Sequence, residues 1–486
     1  MREHGDESKL VCASCVTENY LQQLIESKPN GVCSYCDEAA VPCIAVEDLA
    51  DLVEEAFEGH FERTPSEPSD FESALMRDKE IGYDWYREGE PVLDVINGIA
   101  CCEPEVGEDV LSILSDRHDS RDPGDPYEGE SEFDPESCYE RTNAKSIHWH
   151  MQWRRLEIAL KYESRLCNQD VLELFESVFA GLDQTKTRHG TVPIVDAGPD
   201  TKLMGVYRAR EFQNQNDLKK ALQDPVKGLG PPDGSIAKAN RMNASGISVF
   251  YGAKDASSAL AEVRPAVGSK VVVAQFLFTR PLRFLDLRSL ESITCSGSLF
   301  DPVYTREVER VGFLRTLTKL LILPVMPNEQ DREYLMTQAV ADYLASLKQP
   351  SLDGIIFPSV QDGVGENVVL FHKASLVEKL PFPDGTLVTA GLMDFDPETE
   401  DSYPSYTVHV SQPEKPHKKK RGISYTPYEP NWLYKTERDP ALALVLDSIV
   451  VHTVKAVRVE TSSDGVFVSH GTHSNESGLD SQFDGF

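Results

Sequence analysis

Arg208, Arg241, Tyr251, Glu262 and Ser359, together with Tyr207 and Asn367, sit at or beside the ends of short apolar runs. Loops at strand ends are where a rigid scaffold presents its chemistry. The guanidinium fork pairs with phosphate oxygens bidentately, so two arginines suit a diphosphate. A tyrosine suits a planar heterocycle by stacking on it. A single carboxylate suits a developing positive charge or a ribose hydroxyl, and Ser and Asn suit an amide or a sugar hydroxyl. The combination describes a dinucleotide with a cleavable glycosidic bond. Taken one at a time, each residue also has a plainer role: an exposed Arg, a half-buried Tyr, a Glu on a solvated helix face.

A second group has the chemistry of a metal site. Cys12 and Cys15 form one C-x2-C pair and Cys33 and Cys36 another, with a helix-like stretch, TENYLQQLIES, between them. Two such pairs match a tetrahedral zinc site in which each pair makes a knuckle. Four thiolates leave no open coordination position, so the expected ion is structural. The competing readings are four reduced thiols in a small core, or two redox pairs. Cys43, Cys101, Cys102, Cys138, Cys167 and Cys295 have no metal-like spacing and read as core residues or idle thiols.

The elements that must position these groups differ between the two halves of the chain. In residues 47–57, Leu49, Leu52, Val53, Ala56 and Phe57 recur at helical spacing. Residues 116–136 are an acidic, proline-broken linker. Trp149, Trp153, Leu156 and Leu160 share one helix face, and Val171, Leu174, Val178 and Leu182 share another. The first 185 residues therefore read as mainly helical. From about residue 203, strand-like runs (LMGVYRAR, SVFYGA, KVVVAQFLF, RFLDL, DGIIFPS, NVVLFH) alternate irregularly with helices, which predicts an α+β domain. Asp255 is placed to N-cap a short helix that ends near Glu262. GLGPPDG, residues 228–234, has two prolines where a phosphate loop needs backbone donors, and is expected to be a mobile loop beside the site. Residues 397–430, with the basic HKKKR cluster, read as an exposed insertion. A last strand within 447–460 is expected to return to the same sheet, and residues 462–486 form a Ser/Gly/Asp-rich tail expected to be disordered.

GVYRAR, NRMNASGISVFYGAKDASSALAEV and DGIIFPSVQDGVGENVVLF together resemble the RES domain. That family is named for an Arg, a Glu and a Ser, matched here by Arg208 or Arg241, Glu262 and Ser359. The resemblance covers residues 203–380, and the domain is expected to extend to 460. The N-terminal region, residues 8–185, is similar to the zinc-bearing HEPN/RES N-terminal domain, on the strength of CASC…CSYC and the Trp-containing helix pair. The resemblance implies an ADP-ribosyltransferase-like fold and degradation of NAD+ by phosphorolysis or hydrolysis. It also implies a toxin-like role with an antitoxin partner, and phosphate or water as acceptor. Arg208 and Arg241 would bind the diphosphate, Tyr251 would stack near nicotinamide, and Glu262 would stabilise the cation. Ser359 would fix the ribose or carboxamide, with Tyr207 and Asn367 as further substrate contacts. The chain departs from the toxin pattern in its length, its acidic linker and its C-terminal insertions.

Alternative readings are ADP-ribosyl transfer to a protein, a non-catalytic nucleotide sensor, and a ribonuclease. The last rests on Arg141 and His148, whose spacing resembles the R-x(4–6)-H motif of HEPN nucleases. The formal net charge of −32 argues against general nucleic-acid binding, because a phosphate backbone needs surface Lys and Arg. At 486 residues, two or three domains are expected. The N-terminus has no apolar signal region and no run suggests a membrane span, so a soluble, cytoplasmic protein is expected.

Overall fold

The computed structural model describes residues 9–77, 82–118, 131–142, 147–163, 168–322, 325–326, 328–413, 438–458 and 461–468. The head begins with a small antiparallel sheet in which Leu10–Cys12 and Asn30–Val32 flank Ala39–Ala45. The helix between the cysteine pairs is α1 (Asn19–Glu26), N-capped by Glu18, whose carboxylate accepts from the Leu21 N–H. Helices α2 (Val46–His60), α3 (Val92–Ala100) and α4 (Pro104–Arg117) follow. The periodic residues read in the sequence do the packing: Leu49, Val53, Ala56 and Phe57 of α2 are buried against Val110, Leu111 and Leu114 of α4. A second three-stranded sheet, with Cys138–Arg141 in its centre, was not apparent in the sequence.

Helices α5 (Ile147–Tyr162) and α6 (Gln169–Phe179) match the two expected amphipathic stretches. Although they were read with the head, their apolar faces join another core. Trp153, Leu156, Leu160, Val171, Phe175 and Val178 pack with residues of the C-terminal region such as Leu285, Phe313 and Ile355.

Among the described residues, nine strands form one sheet. They are β1 (Ile194–Ala197), β2 (Gly205–Phe212), β3 (Phe250–Ala253), β4 (Lys270–Phe278), β5 (Leu282–Asp286), β6 (Gly354–Pro358), β7 (Glu366–Leu370), β8 (Leu442–Leu444) and β9 (Val450–Thr453). The order is β8-β4-β2-β3-β7-β6-β5-β1, with β9 also on β4. Only β5–β6 is parallel. The final strand thus returns to the main sheet, as expected, pairing Val450–Thr453 with Lys270–Val273.

Successive side chains of a strand face opposite ways, and the apolar runs of β6 and β7 are buried on both sides. Ile355, Phe357, Val369 and Phe371 join the core under α5 and α6. Ile356, Val368 and Leu370 join a second core with Phe250, Phe276 and Phe284. The first face is covered by α5, α6, α8 (Pro302–Ile322) and α9 (Gln330–Ser346). On the other, the helix Gln215–Gln223 contributes Leu218, Ala221 and Leu222. A short helix, α7 (Ala256–Glu262), lies against β2, β3 and β4.

The described part of the insertion expected at 397–430 supplies one strand, Ser402–Ser411, of a two-stranded hairpin whose other strand, Leu387–Phe395, precedes it. The HKKKR cluster, most of the acidic linker, Cys167 and tail residues 469–486 lie outside the described residues. No helix among the described residues is long and apolar enough to cross a membrane.

Candidate active site and cysteine centre

Helix α7 places the carboxylate. Asp255 N-caps it, accepting from the Ser258 N–H at 2.8 Å. Seven residues later the helix ends at Glu262. The Ser258 hydroxyl lies within hydrogen-bond reach of both Asp255 and Asp362 and shares its one proton between them, which ties the helix to the loop between β6 and β7. Asp362 in turn accepts from the N–H of Gly365 at 2.8 Å and of Val364 at 3.1 Å. Burial opposes ionisation of Asp362, but these donors hold it below the usual carboxylate range. Gly365 has to be glycine, because a Cβ there would come within 1.8 Å of the Ser258 hydroxyl oxygen.

That loop and strand β7 after it bring two anchors to Glu262. The Ser359 hydroxyl donates to Glu262 Oε1 at 2.6 Å, and Asn367 Nδ2 donates to the same oxygen at 2.8 Å. Both anchors are buried, at 3 % and 6 % exposure. Oε2 has no hydrogen-bond partner among the described residues. One carboxylate oxygen is therefore fixed, and the group faces a cavity of about 470 Å3, within the usual range for small-molecule sites.

Arg208, Arg241, Tyr251, Glu262 and Asn367 all line that cavity. Arg208 extends from β2, donates to the Tyr251 carbonyl at 3.1 Å and lies over the Phe250 ring at 4.8 Å. Burial, then the neighbouring Arg210, pulls its pKa down to about 10, so it stays charged at neutral pH. Arg241 donates to the Leu321 carbonyl at 2.7 Å and lies over the Tyr334 ring. Tyr251 lies within β3 rather than ending it. Its hydroxyl donates to Asn243 Oδ1 and accepts from the Met242 N–H, each at 3.0 Å, which pins the RMN turn and with it Arg241. Burial keeps the Tyr251 phenol protonated well above the ordinary tyrosine range.

Three expectations need revision. Ser359 is not on the cavity wall; its hydroxyl is committed to Glu262, so it positions the carboxylate. Tyr207 is not on the wall either: it pairs with Ala253 and Gln275, farther down the sheet than Tyr251. GLGPPDG does not border the cavity. Its Gly228 and Pro232 carbonyls accept from Arg210 and Ser248, away from the wall. Asn367 does line the cavity, with its amide also bound to Glu262.

Other wall residues escaped the sequence reading. Gln330 and Tyr334 arrive from the first turns of α9, and Gln361 and Arg264 flank the loop and helix already described. Gln330 and Tyr334 carry no local signal, since only the packing of α9 on the sheet brings them here. For Arg264 a signal existed that could have found it: a charged residue just beyond a helix end, before Pro265.

In the head, the Sγ atoms of Cys12, Cys15, Cys33 and Cys36 all lie within 4.8 Å of one another. Neighbouring sulfurs are 3.6 Å (Cys12–Cys36) and 3.8 Å (Cys12–Cys15 and Cys15–Cys33) apart. A zinc tetrahedron with Zn–S bonds of about 2.3 Å sets its sulfurs about 3.8 Å apart, so the four thiols fit a single ion. Burial raises the Cys33 pKa, but backbone N–H groups of Tyr35 and Cys36 outweigh it and hold the thiol down at about 7. Burial and the neighbouring sulfurs push the Cys15 thiol the other way, upward, so a bound cation would have to supply the charge that keeps all four sulfurs as the thiolates a metal requires. Arg141 and His148, by contrast, are exposed and stand on separate elements, the Cys138–Arg141 strand and α5.

Residues 206–389, less than half of the chain, match the RES domain. The motif-bearing stretch read in the sequence, 203–380, falls almost wholly within that match. No curated protein and no solved structure matches the chain.

Proposed function

We propose that the RES domain at residues 206–389 cleaves the nicotinamide–ribose bond of NAD+, with phosphate or water as acceptor. The observation that carries this reading is the carboxylate of Glu262. It is fixed through one oxygen by Ser359 and Asn367, and it faces a cavity shared with Arg208, Arg241 and Tyr251.

In the proposed reaction the C1′–N bond breaks and its electron pair passes to the nicotinamide nitrogen. The cationic pyridinium leaves as a neutral molecule and needs no general acid. Positive charge grows on the ribose as in glycoside cleavage. Glu262 lowers the energy of that charge by electrostatics, and its second oxygen holds a ribose hydroxyl. Burial of the two donors keeps the carboxylate from reorienting. Arg208 and Arg241 attract the diphosphate and Tyr251 forms an apolar wall for the leaving ring. Phosphate oxygen then bonds to C1′, giving ADP-ribose 1″-phosphate, or water does so, giving ADP-ribose and a proton. No side chain acts as nucleophile.

We further propose that the cysteine cluster holds structural zinc, and that the head corresponds to a HEPN/RES N-terminal domain. The protein would act as a toxin-type or defence effector restrained by an antitoxin protein. Transfer of ADP-ribose to a protein would use the same cation with a different acceptor.

Incubating the purified protein with NAD+, with and without inorganic phosphate, and identifying the products tests the reaction. Free nicotinamide with ADP-ribose 1″-phosphate is the phosphorolytic outcome. ADP-ribose in both conditions is the hydrolytic one, and label retained on protein indicates transfer. Intact NAD+ throughout contradicts the proposal.

A further inference from the structure

The cavity that contains Glu262 has a third guanidinium on its wall, Arg264. The other two are engaged: Arg208 with the Tyr251 carbonyl and the Phe250 ring, Arg241 with the Leu321 carbonyl and the Tyr334 ring. The exposed side chain of Arg264 has no hydrogen bond, ion pair or ring contact among the described residues. Its five N–H donors are therefore open to a ligand.

The backbone at Arg264 adds an independent observation. Its φ is 43°, in the left-handed region. Its N–H donates to the Ala261 carbonyl at 3.1 Å, closing the end of α7. A residue in this conformation just past a helix end is most often glycine, which adopts it without steric cost. Pro265 follows and restricts the backbone of residue 264 further. Nothing in this turn requires a side chain, and the long charged one that is present reaches the wall of the site. Backbone strain held at a cavity wall points to function rather than to folding.

We infer that Arg264 is a further phosphate-recognising residue of this cavity beside Arg208 and Arg241, its guanidinium pairing bidentately with a phosphate group. Two sources have that chemistry: the diphosphate of the nucleotide and the free phosphate that serves as acceptor. The inference rests on the reading of the cavity as a site for NAD+.

The test titrates the full-length protein, R264G and R264Q with ADP-ribose, and separately with inorganic phosphate, by calorimetry, and records melting temperatures. The wild type is expected to bind, and both variants are expected to lose at least about tenfold in affinity for one probe, as removal of a charge-assisted bidentate contact implies. R264G is expected to melt no lower than wild type, because glycine relieves the strain. Weakened ADP-ribose binding assigns Arg264 to the diphosphate; weakened phosphate binding alone assigns it to the acceptor. Unchanged affinity for both probes overturns the inference, as does a wild type that binds neither. A lowered melting temperature in R264G overturns it as well, in favour of a structural role. Nicotinamide release by the same wild-type sample tests the cleavage reading separately. Binding that depends on Arg264 without any release would keep the phosphate site and remove the reaction.

Discussion

The four cysteines of the head lie between residues 12 and 36, whereas the side chains around Glu262 come from residues 208 to 367. The first group is gathered by local turns: each C-x2-C pair brings two sulfurs together almost regardless of the rest of the fold. The second is gathered by a sheet. Tyr251 lies opposite Val369, and Phe357 opposite Asn367, in the registers of β3, β7 and β6. A one-residue slip in that register would turn these side chains to the other face. The difference predicts opposite failures. Removing the cement of the head should undo structure and spare chemistry. Removing one group from the cavity should undo chemistry and spare structure.

The largest expected effect is in the head. Chelation, or Cys33→Ser, should abolish its cooperative melting, because a structural zinc site contributes apparent binding free energy on the order of 10 kcal/mol. Nicotinamide release should persist, since the sheet has its own two cores. A metal-free head with an unchanged melting midpoint in calorimetry would contradict the structural role.

A smaller effect should follow from loosening the carboxylate. Ser359→Ala removes one of the two donors to Glu262 Oε1. A hydrogen bond to a charged group contributes about 1.5–3 kcal/mol, so turnover should fall roughly 10- to 100-fold. KM should change little, because Ser359 is not on the cavity wall. Asn367→Ala acts on the same oxygen, so the double variant should lose less than the two single losses combined. Strict additivity in steady-state kinetics would mean the two donors do not hold the carboxylate jointly.

The smallest effect concerns the seam between the regions. Phe300, just before α8, is buried in the head's core, and His60 at the end of α2 lies 3.2 Å from the Thr305 hydroxyl. Burial, then the charge of Arg141, lowers the pKa of His60 below its ordinary 6.5. The unfolded chain then binds a proton more readily than the folded one, so stability rises with pH through this window. It is present above pH 6.5 and is lost as the pH falls toward the lower folded value. The head's melting temperature should drop modestly below pH 6.5, and His60→Gln should flatten that slope. A slope of equal size in the variant would assign it to other groups.

What was legible in the sequence follows the same division between local and distant. Helices α1, α2, α5 and α6 were readable because their apolar spacing matches a buried stripe, and the cysteine site because its spacing is itself the structure. Helix α8 was not readable. Its first half is charged, and Arg310 occupies a buried position where the pattern expects an apolar residue. The cost of burying that guanidinium is offset by Glu307, one turn earlier on the same helix, and by the Val178 and Ala180 carbonyls, which only the fold brings there. The hairpin at 387–411 was not readable, because most of its side chains are exposed and the few that pack on a core, such as Ala390, Leu392 and Tyr406, leave no apolar stripe. At the cavity, Arg208, Arg241, Tyr251 and Glu262 stood out as polar residues beside apolar runs, although β2 and β3 continue past Arg208 and Tyr251. Ser359 was legible as a site residue but not as a positioning one, since a sequence does not show which partner a hydroxyl will meet.

The central claim is that the carboxylate at 262 drives glycosidic cleavage, and Glu262→Gln tests it most directly, because the amide keeps the size of the side chain and removes its charge. Nicotinamide release from NAD+ is expected to fall by at least about 100- to 1,000-fold, the usual loss when one electrostatic stabiliser is removed. The melting temperature and the affinity for ADP-ribose should stay close to wild type. Release at the wild-type rate by a folded Glu262→Gln protein would contradict the account.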